Sequence, residues 1–160
     1  MKFLRVREKE PNLRWFVFQL DKQEVDCLKM ALAHYPMLDV YSQPLSRQGG
    51  ANEDQQRLLD EVTRGWRAER RKQVLAFLSH SKYFRWESPG HYRLTVTPEE
   101  AEWLLQVLND IRVGCWSHLG GLELEELEKS KLDDDQCRER AIMDLCGYFE
   151  MGLLEAFKSA

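Results

Sequence analysis

The chain has 160 residues, enough for one domain with a real core and too few for two ordinary ones. Hydrophobic residues make up 43% and charged residues 31%, the balance of a folded protein rather than a disordered one. The formal charge of −4 exerts no global pull toward nucleic acid or a membrane surface, and no apolar run approaches the roughly 20 residues of a membrane span.

The opening MKFLRVREKEP alternates charge and lacks a signal-peptide apolar region, so a cytoplasmic location is expected. Residues 3–7 and 13–20 predict a hairpin around the charged turn of residues 8–12. Its second strand, LRWFVFQL, is apolar on both faces, which predicts cover on both sides by helices or a partner chain. Asp21 and Glu24 then form a capping box for a helix with the stripe Val25, Leu28, Leu32 and Tyr35, ended by Pro36. Residues 36–52 carry Pro36, Pro44, Gly49, Gly50 and Asn52 and predict a long loop, expected to be the most mobile segment. A helix from about 53 to 80 follows, with Leu59, Val62, Trp66, Gln73 and Phe77 as its buried stripe. YFRWE and YRLTV predict a second hairpin, turned by Ser88-Pro89-Gly90-His91.

The segment TVTPEEAEWLLQVLNDIRVGCWSHLGG is the most informative. Thr97 suits an N-cap, Pro98 the first helical position, and Glu99 and Glu100 the positive end of the dipole, while Gly120-Gly121 marks the stop. At about 100 degrees per residue, Ala101, Leu104, Leu105, Leu108, Ile111, Cys115 and Leu119 share one face. Arg112 falls within that arc, with Asn109 and Trp116 beside it. A cation on a core face needs a partner, and Asp144, Glu150 and Asp26 are the candidates. The functional alternative is an anion or peptide-carboxylate site with Arg112 as bidentate donor, flanked by Asn109 and Trp116. Asp110 projects from another face, which argues against a catalytic pair within this helix.

Residues 123–129 predict one short helix. Asp133, Asp134 and Asp135 favour the start of a last helix carrying Ala141, Ile142, Leu145, Phe149, Leu153 and Ala156 on one face. Two hairpins and four main helices give an α+β fold, mostly helical with a small antiparallel sheet, as a single domain over residues 1–160. Cys27, Cys115, Cys137 and Cys146 form no C-x-x-C pair and are expected to be reduced thiols in helices. With His34, His80, His91 and His118 they show no metal-ligand spacing, and no metal or other cofactor is expected.

The motifs Trp103-Leu104, Leu108-Asn109-Asp110-Ile111-Arg112 and Leu119-Gly120 resemble those of an uncharacterised bacterial family, domain of unknown function two thousand and seventeen. The terminal run from Phe149 to Phe157 is similar to that family's Leu-Gln-Glu-x-Leu-Val-x-Ala-Leu, and Leu20-Asp21 leading into a helix with Glu24 is similar as well. Where the family has Gly-Thr-Arg before its closing Leu-Gly, this chain has Trp116-Ser117-His118. The resemblance implies a regulatory context, since members of that family are often encoded near the adaptor subunit of the Clp protease, and no reaction.

Two further sets of residues stand out. Arg57, Arg64, Arg67 and Arg71 line one side of the long helix, and a basic ridge followed by a hairpin is the pattern of a winged DNA-binding module. Asp60, Glu61 and Glu69 dilute that ridge, so nucleic acid is disfavoured as its partner. Among five tryptophans, Trp15 sits on the doubly apolar strand, and Trp103 with Val107 forms a ridge off the main helical stripe. These three residues suggest a homodimer interface, against the alternative of simple core packing. Motifs of hydrolases, nucleotide-binding folds and metalloproteases are absent, which weighs against an enzyme. The sequence therefore predicts an interaction or regulatory domain with a protein partner. A DNA-binding regulator is the alternative, and an enzyme or small-anion binder near Arg112 the third reading.

Overall fold

Alternation in the first twenty residues closes an antiparallel hairpin, β1 (Lys2–Glu10) with β2 (Leu13–Asp21). The second hairpin is β3 (Phe84–Ser88) with β4 (His91–Val96), and Gly90 at its turn takes φ +79°, a conformation a side chain would strain. The two hairpins join through β2 and β4 into one sheet of order β1-β2-β4-β3. This computed structural model describes residues 1–10, 13–36, 53–121, 126 and 131–159.

Cross-strand pairing fixes which face each side chain takes. Phe18 lies opposite Phe3 and Leu94, Phe16 opposite Val6 and Val96, and Leu94 opposite Phe84. The register of β1 shifts between Phe3 and Arg5, so Leu4 is the extra residue of a bulge. That bulge leaves Phe3 and Val6 on the core face and turns Arg5 and Arg7 to the other.

Four helices appear among the described residues: α1 (Lys22–Ala33), α2 (Glu53–Ser79), α3 (Pro98–His118) and α4 (Asp134–Lys158). Three begin with reciprocal capping boxes, at Asp21/Glu24, Thr97/Glu100 and Asp133/Gln136, each supplying partners for otherwise orphaned N–H groups. The helices lie on one face of the sheet. Lys29 of α1 sits 5.0 Å over the Phe84 ring, Phe77 of α2 packs edge-on against Phe84 at 5.6 Å, and Phe157 of α4 against Phe16 at 5.0 Å. Leu104, Leu108 and Ile111 of α3 are buried at the centre of this layer.

Two expectations need correction, and a third holds in part: the described helices cover only the core face of β2, while Val17 on its outer face is 2% exposed. On α2 the seat is Val74 and Phe77, whereas Gln73 is exposed and Trp66 is 73% exposed. Trp66 has the right helical phase but lies two turns before Val74, where the described buried residues of α2 begin; the side chains of Leu59 and Val62 lie outside the described residues. On α4 the buried face is Ile142, Met143, Cys146, Phe149, Leu153 and Ala156, so Ala141 is exposed and Leu145 half-buried. The predicted loop at 37–52 and, apart from Glu126, the short helix at 123–129 also lie outside the described residues.

Candidate functional site

The stripe of α3 is buried as its period predicts, except that Leu105 is half-buried. Arg112 lies at its edge, with the side chain 46% exposed, so the expectation of a cation sunk in the core is corrected. Its Nη1 lies 3.3 Å from Glu150 Oε2 on α4, and its Nη2 donates at 3.4 Å to Asn109 Oδ1. The buried member of the pair is the carboxylate. Glu150 is 9% exposed, and its Oε1 has no hydrogen-bond partner. Burial raises its pKa from the ordinary carboxylate value, and the Arg112 charge opposes that shift.

Arg112, Glu150 and Trp116 line a groove of about 710 Å³ between α3 and α4. Five large apolar side chains line it while remaining open to solvent: Val113 (40%), Trp116 (42%), Tyr148 (41%), Met151 (66%) and Leu154 (47%). Helical spacing explains the row. Val113 and Trp116 are three apart on α3, and Tyr148, Met151 and Leu154 are three apart on α4, so each set stacks along one edge. Trp116 is held from below, because its ring lies against Gly121, where an added Cβ would come within 3.3 Å. The Tyr148 hydroxyl donates to Glu24 of α1, which fixes the α4 edge to the body.

Gly147 completes the groove. It lies inside α4, where glycine costs roughly 0.5–1 kcal/mol relative to alanine. A Cβ built there meets nothing within 4 Å, so no packing neighbour requires its absence. Gly152 on the same helix is the opposite case, since its Cβ would come within 2.6 Å of the Met1 side chain.

Arg112 lies between Asn109, which it bonds, and Trp116, with which it lines the groove; Tyr148, Met151 and Leu154 of the same lining were not among the residues singled out from sequence. Their three-residue spacing was legible as a second apolar row beside the main stripe of α4. Trp103 and Val107 are not the free ridge expected of an interface. Val107 is 0% exposed, and Trp103 is half-buried with its ring 5.6 Å from Phe77, so α2 of the same chain fills that position. Trp15 is half-buried on the outer sheet face.

Of the basic ridge, the side chains of Arg57 and Arg64 lie outside the described residues, Arg67 is half-buried and Arg71 exposed. Arg70, which the sequence reading passed over, docks α2 on α3 by donating to Asp110 and Gln106, each at 2.9 Å. Burial pushes the Cys115 thiol up to about 11 and the Cys146 thiol up to about 12, so neither is a thiolate at neutral pH. No described helix is long and apolar enough to cross a membrane. No protein-family model, curated protein or solved structure matches this chain.

Proposed function

We propose that this chain is an interaction domain whose α3–α4 groove receives an apolar segment of a protein partner. The observation that carries the reading is the run of five exposed apolar side chains along one groove. Single exposed hydrophobics are ordinary on any surface, whereas a contiguous set in a concavity is the usual mark of a recognition site. Two parallel edges with three-residue spacing suit the apolar face of a short amphipathic helix. Met151, the most exposed of the five, is flexible and polarizable, so it adapts to the side chains it meets. Arg112 at the rim gives the site a cation to set orientation against a partner acid, with Glu150 and Asp144 also in the lining, and Asn109 holds the guanidinium in place.

Gly147 makes the test clean. A Cβ at Gly147 meets nothing within 4 Å, so Gly147→Leu should add bulk to the groove while the fold survives and the partner is lost. A partner recovered by affinity capture should disappear with Gly147→Leu and with Met151→Glu, and persist with Leu75→Glu, a 59%-exposed position on α2. Sedimentation of the purified chain separates a second copy from another protein as occupant. A dimer dissociated by Gly147→Leu would make the occupant a second copy. A partner retained by both groove variants would refute the reading.

A further inference from the structure

The outer face of the sheet gathers cations, and nothing in the groove reading uses it. Pairing puts Lys2, Gln19, Arg93 and Arg85 in one row across all four strands, since Lys2 lies opposite Gln19, Gln19 opposite Arg93, and Arg93 opposite Arg85. The neighbouring positions add Arg5, opposite Val17, and Arg7, opposite Trp15. Lys2, Arg5, Arg7 and Arg85 are exposed, and none of the four side chains has an ion pair or hydrogen bond among the described residues.

Two described acids at this face have partners of their own. Glu87 pairs with Arg93, and Asp21 at the strand end accepts from the Glu24 N–H as the cap of α1. Arg85 directly opposite Arg93 is a like-charge cross-strand pair, which works against the sheet rather than for it. Two buried donors on the same face, Trp15 Nε1 and Arg93 Nε, also have no acceptor. Among the described residues the face thus carries an excess of positive charge, with Lys2, Arg5, Arg7, Arg85 and Arg93 set against Glu87 and Asp21. Its ligand must bring acceptors and negative charge in quantity.

We propose that this outer sheet face binds single-stranded nucleic acid through its phosphate backbone. Arg5 and Arg7 are two residues apart on an edge strand, a step of roughly 6.6–6.8 Å that lets successive guanidiniums reach successive phosphates. The half-buried Trp15 indole beside Arg7 gives one base a ring to rest on. Four strands at about 4.8 Å spacing span roughly 14 Å, which is too wide to enter a major groove of about 12 Å but flat enough for an unpaired strand. An anionic membrane is the poorer match, because the apolar Val17 at the centre of this face is 2% exposed and offers nothing to insert. The expectation drawn from the α2 ridge does not bear on this surface, since the residues are different and the acids that dilute the ridge are on a helix.

Fluorescence anisotropy with labelled 12-nucleotide RNA and DNA oligomers of mixed sequence tests the proposal on the whole chain. Four phosphate contacts predict a log–log salt slope of about −2.8, hence about a 50-fold loss of affinity between 50 and 200 mM salt. Arg5→Gln with Arg7→Gln should weaken binding at least tenfold and roughly halve that slope, with an unchanged thermal midpoint. Arg71→Gln on α2 should leave binding as it is. The DNA and RNA arms show whether the 2′-hydroxyl contributes. No binding at 50 mM salt would overturn the proposal, as would binding that survives the Arg5/Arg7 double variant. Tighter binding to phosphatidylserine vesicles or to polyglutamate than to either oligomer would also overturn it, in favour of a membrane or an acidic protein.

Discussion

The α3–α4 groove and the outer sheet face each leave one kind of chemistry open, and the two kinds are opposite. The groove leaves Met151, Leu154 and Trp116 exposed to solvent, and the sheet face leaves Arg5, Arg7 and Arg85 without counter-charges among the described residues. Each arises from a different periodicity. Spacing by three along two adjacent helices builds the groove, whereas spacing by two, shifted once by the Leu4 bulge, builds the cationic face. The contrast teaches that a chain with a modest net charge can still concentrate one kind of chemistry on each side. Groove and face are separated by the sheet's own core, so changes to one should leave the other intact.

The sharpest contrast in stability lies between the two sides of the sheet. Phe18 is 0% exposed on the core side, and Phe18→Ala should cost about 3–5 kcal/mol in chemical denaturation. Arg85→Gln on the outer side should shift the same midpoint by less than about 0.5 kcal/mol, toward greater stability, because it relieves the repulsion with Arg93. A loss at Arg85 comparable to that at Phe18 would mean that the cations hold the sheet together.

The two glycines of α4 divide the helix in the same manner. Gly152→Leu collides with Met1 and should cost about 1–3 kcal/mol through overpacking. Gly147→Ala should instead stabilise by about 0.5–1 kcal/mol, since it removes a helix-interior glycine without meeting a neighbour. Equal losses at the two positions would show that Gly147 is packed and that the groove is not open.

The smallest effect concerns Glu150. Burial raises its folded pKa above the unfolded value, with Arg112 opposing. The folded state therefore holds this proton more tightly, a contribution present below the ordinary carboxylate range and lost as pH rises through the raised folded value. Glu150→Gln keeps a neutral group at every pH. Its midpoint should match the wild type near pH 4, where the carboxyl of either state is largely protonated, and exceed it by pH 7. Arg112→Met should widen the difference between wild-type-like and neutral behaviour, because it removes the opposing charge.

Most of the fold was legible because local signals and tertiary packing agreed. The alternation of KFLRVR, the Ser88-Pro89-Gly90-His91 turn and the Thr97-Pro98 helix start each appear where their chemistry places them. What misled was phase without position. Trp66 has the phase of Phe77, yet the described buried residues of α2, Val74 and Phe77, lie toward its C-terminal end, and no periodicity records where along a long helix burial begins. Trp103 was legible as apolar but not as packed, because the ring it meets, Phe77, comes from a different helix. The strand LRWFVFQL looked apolar on both faces when read alone. Only pairing with β1 and β4 shows that Arg5, Arg7 and Arg93 share the outer side with Trp15 and Val17. Arg112 was correctly marked as needing a carboxylate, and Glu150 was among the candidates. That the carboxylate would be the buried partner depends on how α3 and α4 cross.

The central claim is that the α3–α4 groove is the recognition surface. The most direct measurement places a photo-crosslinking amino acid at Met151 and, separately, at Leu75, then maps the adducts by mass spectrometry. The account predicts a discrete adduct at Met151 whose crosslinked peptide is an apolar segment, lost when Gly147→Leu fills the groove and absent at Leu75. Indistinguishable adduct patterns at the two positions, or a Met151 adduct that persists in Gly147→Leu, would contradict it.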